Sequence, residues 1–572
     1  MEEQSFMKAL FFGVIAEDAI FPFPSRPDDE RRALHGTVDE VARFLDERVD
    51  SDAIDAEGRI DAGALDGARA LGLFGLAVSP EHGGSFSSTT AHARIIEEIA
   101  ARDASLAMLL VAHGALGSGA LIAFGTQAQK QRHLPRLARG ELVGAFALTE
   151  RASGADAGAI RTYAELEPGE HAYRLTGTKP WVMNGDIGSL VTVFARTSRA
   201  DEGHKPRLTA LLVERGEGVT VGSRRETLGL RGLGITKLEF DGVRVPVEQQ
   251  LEEPGHGFKV AMEVLNDARP IIAAAMVGQA RSSLNLALER LSRRRSFGRV
   301  IGQFPLLKDK IAAMMADLYA IESMTYLTTG LIDRGMPDYS LESAICRVAG
   351  AEALWRIVND ATAIAAGGGY LRGHPLERRL RDARGAFFID GTNETLRCFI
   401  ALAGMQGPGQ RLSEVVGAMR EPVKGFGLLR GFAVRKVREA LRRERVTRAH
   451  PLLAREAVML EEGVDALAKA VERVLREHRA EIAEEQYAQL RIANVAIDLY
   501  ALAACLSRAT LTIEKHGEVG ARRELDLVTM FATAAGGRIE ANLRRLEEND
   551  DQLRKEIAAR AYTDGRYPFD VL

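Results

Sequence analysis

The sequence has few cysteines and none of the short motifs that mark common metal and nucleotide sites. Cys346, Cys398 and Cys505 lie far apart without a CxxC pair, which excludes a disulfide framework and a cysteine zinc site and fits a reducing compartment. No HExxH or comparable histidine cluster occurs, so we predict no metal site. No GxGxxG follows a strand-like run and no GxxxxGK(S/T) exists, which argues against a Rossmann or P-loop nucleotide site.

The chain also lacks a strong charge bias and an apolar run of membrane length. A formal net charge of -4 argues against nucleic-acid binding, and 46% hydrophobic with 27% charged residues is typical of a soluble globular protein. The segment ALFFGVIA, at Ala9 to Ala16, is short and follows two glutamates, so we interpret it as folded structure and not as a signal peptide. VAIDLYALAACL, at Val495 to Leu506, is shorter than the roughly 20 residues of a membrane span, so no transmembrane helix is expected.

Periodicity divides the chain of 572 residues into several regions. Apolar residues recur at helical spacing before about residue 139 and again from about 257 to 402, whereas short alternating runs between 142 and 250 indicate strands. The Gly- and Pro-containing segment Gly404 to Leu412 predicts a boundary before a further helical region. We therefore predict a mainly α protein with an inserted β domain, divided into residues 1–143, 144–256, 257–411 and 412–572.

Asp390 stands between an apolar run and turn-forming residues in FFIDGTNETLRCF, Phe387 to Phe399. Asp, Gly, Thr and Asn commonly cap helices, so on these residues alone a helix cap is the favoured interpretation. The other interpretation is a catalytic carboxylate beside an apolar wall, where desolvation would raise its pKa towards neutral.

A basic amphipathic segment follows at residues 420–448, with ten Lys or Arg against three Glu and apolar residues at helical spacing. Three interpretations remain open from the residues: contact with an anionic membrane surface, a solvated helix that packs on its own dimer, and nucleic-acid binding.

Seven short motifs follow one another along the chain. They are FGTQAQKQRHLPRLARGE at 124–141, AFALTERASGADAGAIRT at 145–162, KPWVMNG at 179–185, FDGVRVP at 240–246, GHGFKVAMEVLNDAR at 255–269, RRSFGRVIGQF at 294–304 and LERRLRDAR with FIDGTNETLR within 376–397. In this order they make the chain resemble the acyl-CoA dehydrogenase family. Beyond residue 412, Glu484 to Ala509 is similar to the segment that distinguishes the very-long-chain branch of that family.

The resemblance implies an N-terminal helical domain, a central β-barrel-like domain, a C-terminal four-helix bundle and a helical extension. It also implies an FAD enzyme that removes an α proton and a β hydride from a long or very-long-chain acyl-CoA and leaves a trans-2-enoyl-CoA. The implied partners are an electron-transfer flavoprotein or similar acceptor and a second subunit. For segment 420–448 the resemblance favours peripheral contact with a membrane, and no nucleic-acid partner is expected.

Site residues are carried over by resemblance. Asp390 takes the position of the base, which is a glutamate in most of the family, and no replacement glutamate is visible at Ala268. Arg269 matches an arginine of the substrate-side helix, with an interhelical salt bridge as an equally simple role. The expected cofactor contacts are Phe146, Leu148, Thr149, Trp181, Val182, Met183, Arg294, Phe297, Gly367, Gly368, Thr392 and Glu394; the expected substrate contacts are Ala155, Arg269 and Gly391.

Several positions depart from the family pattern. Ala155 replaces a serine near the pyrophosphate, Met183 replaces a hydroxyl residue beside the flavin, and Ala363 and Ala366 replace the Gln and first Gly of a flavin motif. Two further functions therefore remain open: a catalytically weak relative that binds acyl-CoA or assists assembly, and a flavin enzyme that uses aspartate on a non-standard substrate. The Ala- and Arg-rich composition without a transit-like leader favours a bacterial cytoplasm, with contact on the inner face of the membrane.

Overall fold

The computed structural model describes residues 5–85, 88–167, 171–197, 207–420 and 445–571. The chain forms two compact units. The first contains Ile20–Leu396, and the second contains Phe6–Ala19 together with Arg397–Leu572. The basic segment predicted at 420–448 lies mostly outside the described residues.

In the described part of the chain, nine α-helices precede the first strand, and local polar residues define where several of them begin. Asp103 accepts a hydrogen bond from the backbone N–H of Leu106 at 2.7 Å, and Thr126 and Gln129 form a reciprocal capping box. The helices are α1 Phe6–Leu10, α2 Glu17–Ile20, α3 Asp28–Arg48, α4 Ser51–Glu57, α5 Ala62–Ala70, α6 Thr89–Arg102, α7 Ala104–Val111, α8 Gly119–Phe124 and α9 Gln127–Ala138.

A π-helical turn, Ala112–Ser118, joins α7 to α8 and lies against the start of the sheet. The backbone N–H of Gly144 donates to Nδ1 of His113 at 2.9 Å, and a Cβ at Gly117 would overlap the backbone of Gly144. The missing side chain at Gly117 therefore allows the π-helical turn to approach the first strand closely.

Short strands follow the helices. They are β1 Gly144–Ala147, β2 Tyr163–Leu166, β3 Ala172–Val182, β4 Leu190–Arg196, β5 Leu208–Glu214, β6 Val219–Val221, β7 Thr236–Pro246 and β8 Gln250–Leu251, followed by a separate hairpin of β9 Arg295–Ser296 and β10 Arg299–Val300. The first eight form one sheet in the order β6-β7-β3-β2-β4-β5-β8, with β1 parallel to β4. Alternate buried residues such as Leu175, Val193 and Phe240 form the core on one face, as expected for half-buried strands.

Long helices then complete the first unit, and α10 packs against both α6 and α12 in its core. The predicted order of helical, β and helical regions is confirmed. These helices are α10 Gly257–Arg293, α11 Pro305–Asp333, α12 Ser340–Ala365 and α13 Pro375–Gly385, and α14 Asn393–Arg420 follows them.

The predicted break at Gly404 to Leu412 was wrong as secondary structure, because α14 continues through it. Its glycines serve packing in the second unit. A Cβ at Gly404 would overlap the ring of Phe11, and one at Gly407 would overlap the ring of Phe12. The N-terminal apolar segment is thus part of the folded second unit.

The second unit continues with α15 Ala454–His478, α16 Gln486–Arg544 and α17 Asp551–Asp564, and α16 is kinked at Gly517. The interpretation of Val495 to Leu506 as shorter than a membrane span was wrong, because this segment lies within the 59-residue helix α16. Ala104–Phe124, Gly257–Arg293 and Gln486–Arg544 are long and apolar enough, but 83%, 72% and 83% of their most apolar windows are buried inside the protein. Packing within the fold therefore accounts for their apolar character.

Candidate active site

Asp390 and Arg269 form a buried ion pair within the first unit. Nε of Arg269 donates to Oδ2 of Asp390 at 2.9 Å, and the two side chains are 6% and 1% exposed. Oδ1 of Asp390 is also buried but has no hydrogen-bond partner within the described part of the chain. One carboxylate oxygen is therefore held, and the other keeps an unused acceptor position that a proton could occupy.

Burial is the main influence on the Asp390 carboxyl and raises its pKa, while the charges of Arg269 and Arg347 oppose that rise. The apolar-wall explanation was incomplete, because Phe388 is 60% exposed and Phe387 packs edge-on against Trp355. At this site, burial of the carboxyl and the positive charges of Arg269 and Arg347 act on the pKa of Asp390 in opposite directions. Such a carboxyl is more basic than an ordinary aspartate.

The helix-cap interpretation of Asp390 was wrong. Asp390 has a φ of 65°, and its side chain points to Arg269. The hydroxyl of Thr392 instead accepts from the backbone N–H of Thr395 at 3.2 Å, and α14 begins at Asn393. Thr392 therefore performs the capping role, and Asp390 occupies a left-handed turn that aspartate tolerates better than most residues.

Arg347, on α12, holds the backbone on both sides of Asp390 and was missed by sequence reasoning. Its guanidinium donates to the carbonyls of Ile389 and Gly391, and to Oδ1 of Asn393 at 3.1 Å. Burial lowers the pKa of Arg347 to about 10, which leaves the group charged at neutral pH. No local motif signals this role, because all the contacted groups lie more than 40 positions away.

The predicted flavin-edge segment lies beside the predicted aromatic segment. Nζ of Lys179 donates to the carbonyl of Leu148 at 2.8 Å and to Oε1 of Glu150 at 2.9 Å. Trp181, two residues further along the same strand, is 53% exposed. The lysine thus joins residues 148–150 to the strand that carries Trp181.

Other members of this predicted group differ in burial. Phe146 and Met183 pack against the apolar core, Val182 is buried, and Thr149 is half-buried. Ala155 is exposed in the loop that follows Glu150. Met183 therefore offers apolar contact and no hydroxyl where the family pattern has a donor.

The remaining predicted cofactor residues lie on exposed turns. Phe297 is 94% exposed at the turn of the β9–β10 hairpin, and Arg294 is exposed just before it. Gly367 and Gly368 lie in the turn after α12, where an added Cβ would meet no atom within 4 Å. Glu394 is exposed in the first turn of α14. The structure gives no direct contact between these residues and Asp390.

A cavity of about 480 Å³ lies between α6, the π-helical turn and α10. Its apolar lining includes Ala115, Ile122 and Ile271, and its polar lining includes His92 and Asp267. Asp267 is two residues from Arg269, so α10 contributes both to the cavity wall and to the ion pair. The volume lies within the range of small-molecule sites.

Comparison with known proteins shows which protein family this chain matches. Models of the acyl-CoA dehydrogenase N-terminal, middle and C-terminal domains match residues 30–141, 145–243 and 255–405, and the ACAD9/ACADV C-terminal domain matches 451–566. The human mitochondrial very long-chain specific acyl-CoA dehydrogenase is 36% identical over 560 residues, which cover 96% of this chain and 85% of the relative. The chain belongs to the acyl-CoA dehydrogenase family.

Two solved structures and a mycobacterial relative support the same assignment. The chain is similar to an acyl-CoA dehydrogenase complexed with FAD from Bacillus anthracis, with 25% identity, a TM-score of 0.80 and coverage of 98% of this chain and 96% of that one. Butyryl-CoA dehydrogenase from Megasphaera elsdenii is 30% identical with a TM-score of 0.62, covering 66% of this chain and 98% of its own. Probable acyl-CoA dehydrogenase FadE10 of Mycobacterium tuberculosis is 29% identical over 99% of this chain and 89% of the relative. The acyl-CoA dehydrogenase fold with a C-terminal extension is therefore confirmed.

Proposed function

We propose that this protein is an FAD-dependent dehydrogenase of long-chain acyl-CoA, with Asp390 as the base that removes the α proton. The observation that carries the proposal is the buried carboxylate with one oxygen fixed by Arg269 and the other without a partner. A base needs a free oxygen, a fixed orientation and a pKa raised from that of ordinary aspartate, and Asp390 combines all three.

The residues present fit a flavin, although fewer side chains would bond to it than in the family pattern. Trp181 is 53% exposed on the strand that Lys179 joins to Leu148, and Gly367 and Gly368 leave space for a planar or phosphate group. When bound, FAD would supply the acceptor for the β hydride. Arg294 is suited to a phosphate because its guanidinium is permanently charged.

In the proposed reaction, Oδ1 of Asp390 accepts the α proton as the C–H bond breaks. The β carbon gives up a hydride, and the electron pair left at the α carbon forms the double bond. Arg269 would hold Oδ2 throughout, and Arg347 would keep the turn at Ile389 to Gly391 in place. The apolar portion of the cavity beside α10 would receive the acyl chain.

The test is the absorbance of purified protein during titration with acyl-CoAs of increasing length. Bleaching of a yellow protein supports the proposal, and Asp390→Asn should slow it by about 10² to 10⁴-fold without releasing FAD. A protein that cannot be reconstituted with FAD would favour the acyl-CoA-binding or assembly role. A yellow protein inert to every acyl-CoA would point to a different substrate.

A homodimer, an electron-transfer flavoprotein or similar acceptor, and peripheral contact with the inner face of a membrane belong to the same proposal. The dimer rests on the family resemblance, and the exposed hairpin that carries Phe297, whose side chain is 94% exposed, leaves this ring open to a partner subunit. Sedimentation velocity tests the dimer. Liposome sedimentation of the full chain and of a variant without residues 420–448 tests the membrane contact, which equal binding by both would contradict.

A further inference from the structure

His92 is a buried histidine whose imidazole lines the cavity between α6, the π-helical turn and α10. Only 6% of the residue is exposed, and among the described residues neither ring nitrogen has a hydrogen-bond partner. Burial lowers the pKa of His92 to about 4, so the ring is neutral at physiological pH. It then presents one N–H donor and one acceptor nitrogen.

Another buried histidine in the same region shows what a structural role requires. His113, one residue from the cavity-lining Gly114, contacts the carbonyl of Phe74 through Nε2 at 3.0 Å and accepts from the backbone of Gly144 through Nδ1. Both of its nitrogens are satisfied by the protein. Among the described residues His92 has no such partners, so its two nitrogens are open to whatever occupies the cavity, whether water or a ligand.

The cavity contains further polar groups. Thr89 and His82 line it, with Nδ1 of His82 at 3.1 Å from Oγ of Ser79, and so does the Tyr339 to Asp267 pair, in which the phenol donates to the carboxylate. The polar lining is therefore distributed over residues 79–82, α6, α10 and the segment before α12. A chain with an oxygen substituent offers hydrogen bonds to such a lining that a plain hydrocarbon cannot.

The wall of the cavity adjoins the residues that hold the base. Asn266, next to the cavity-lining Asp267 on α10, accepts from Nη1 of Arg269 at 2.6 Å, and the same guanidinium donates to Asp390. A group bound beside Asp267 would therefore lie near the helical turn that holds the base. Under the proposed function, the distal part of a bound acyl chain would enter this cavity.

We infer that the cavity is specific for acyl chains bearing a hydroxyl or keto oxygen away from the thioester, and that His92 is the residue that hydrogen-bonds this oxygen. The inference rests on the proposed acyl-CoA function and deepens it by naming the substrate class. A site that hydrogen-bonds a substrate oxygen discriminates against the analogue without it, because the site's own polar group is then left unpaired.

Binding of two matched ligands tests the inference independently of turnover. Titration calorimetry would compare hexadecanoyl-CoA with hydroxyhexadecanoyl-CoAs whose hydroxyl lies between carbons 8 and 16. We expect at least one hydroxylated ester to bind the wild type about tenfold more tightly than the plain ester. His92→Leu should abolish the preference, His92→Gln should retain part of it, and the exposed His35→Leu should leave it unchanged.

Equal affinities for all the esters in the wild type, or an undiminished preference in His92→Leu, would overturn the inference. Failure of the proposed function would look different. A protein that prefers the hydroxylated ester but is not bleached by any ester would support the cavity assignment and refute the dehydrogenase. Bleaching of the flavin by plain and hydroxylated esters that bind with equal affinity would support the dehydrogenase and refute the cavity assignment.

Discussion

Arg269 donates from Nε to Oδ2 of Asp390 at 2.9 Å, and both side chains are almost completely buried. The arginine lowers the pKa of the carboxyl, whereas burial raises it by a larger amount. The balance between these two influences sets the pH at which Asp390 can act as a base.

Replacing Arg269 with Gln should move the acid limb of the pH profile for flavin reduction to higher pH. The carboxyl would lose a cation that favours its ionised form, so its pKa would rise and the active carboxylate would form later. Stopped-flow absorbance across pH would measure the shift. Arg269→Lys should keep more of the wild-type pH profile, and Arg31→Gln replaces an exposed arginine on α3 as a control. An acid limb that stays at the wild-type pH in Arg269→Gln would contradict the prediction.

Replacing Arg347 with Met should slow proton removal while affecting substrate affinity less. The carbonyls of Ile389 and Gly391 would lose their donor, and a base displaced by about 1 Å can lose on the order of 10²-fold in rate. Single-turnover kinetics would separate the rate from binding. Arg356→Met removes an exposed arginine from the same helix and should have little effect on the rate. Equal losses of rate in the two variants would argue against a positioning role of Arg347.

Asp382 should make the protein less stable as pH rises from 5 to 8. Burial raises its pKa from 3.8 to about 7, so in this range the folded state binds a proton that the unfolded state has lost. The stabilising contribution is therefore present at low pH and is lost as pH rises through 7. Its size over this range is on the order of 2 to 3 kcal/mol.

Denaturant unfolding of wild type and Asp382→Asn at pH 5 and pH 8 measures this contribution. The variant should gain stability relative to wild type at the higher pH, since Asn can still accept from the Leu230 backbone N–H. Asp241→Asn, on an exposed strand position, controls for the loss of one carboxylate. A difference between Asp382→Asn and wild type that is the same at both pH values would be incompatible with a raised pKa.

Ala366→Gly should stabilise the fold. Ala366 ends α12 with φ 54° and ψ -143°, a conformation that costs a residue with a Cβ about 1 to 3 kcal/mol. After the entropy cost of glycine, about 0.5 to 2 kcal/mol of gain should remain. Thermal unfolding should show a higher Tm for Ala366→Gly than for the wild type. Ala365→Gly is the control and should lower the Tm, because Ala365 has an ordinary φ of -69°. A lower Tm for both variants would refute backbone strain at Ala366.

Much of the architecture follows from patterns within short stretches. The alternating runs correctly predicted the region of strands, and Thr392 and Asn393 correctly predicted the start of a helix. The break at Gly404 to Leu412 was mispredicted because glycine has two uses. It permits turns, but in α14 it permits the rings of Phe11 and Phe12 to pack closely, and those partners are remote in sequence.

The site residues also divide into those that the sequence indicated and those that only the structure revealed. Asp390 was identified through family resemblance, and its assignment as the base stays a prediction. Arg269 was recognised as part of the site, but its pairing with Asp390 was not. Arg347 and His92 carry no local signal, because an arginine or a histidine within a helix is as compatible with solvent as with a buried contact.

The sequence by itself determined the family, the order of the helical and β regions, and the presence of an aspartate where most relatives have a glutamate. These properties depend on spacing and residue type along the chain. Only the tertiary structure decided which charges meet that aspartate, since Arg269 lies 121 positions away and reaches it only when α10 is packed. Burial and distance determine a carboxyl pKa, and both arise from the folded arrangement and not from neighbours in sequence.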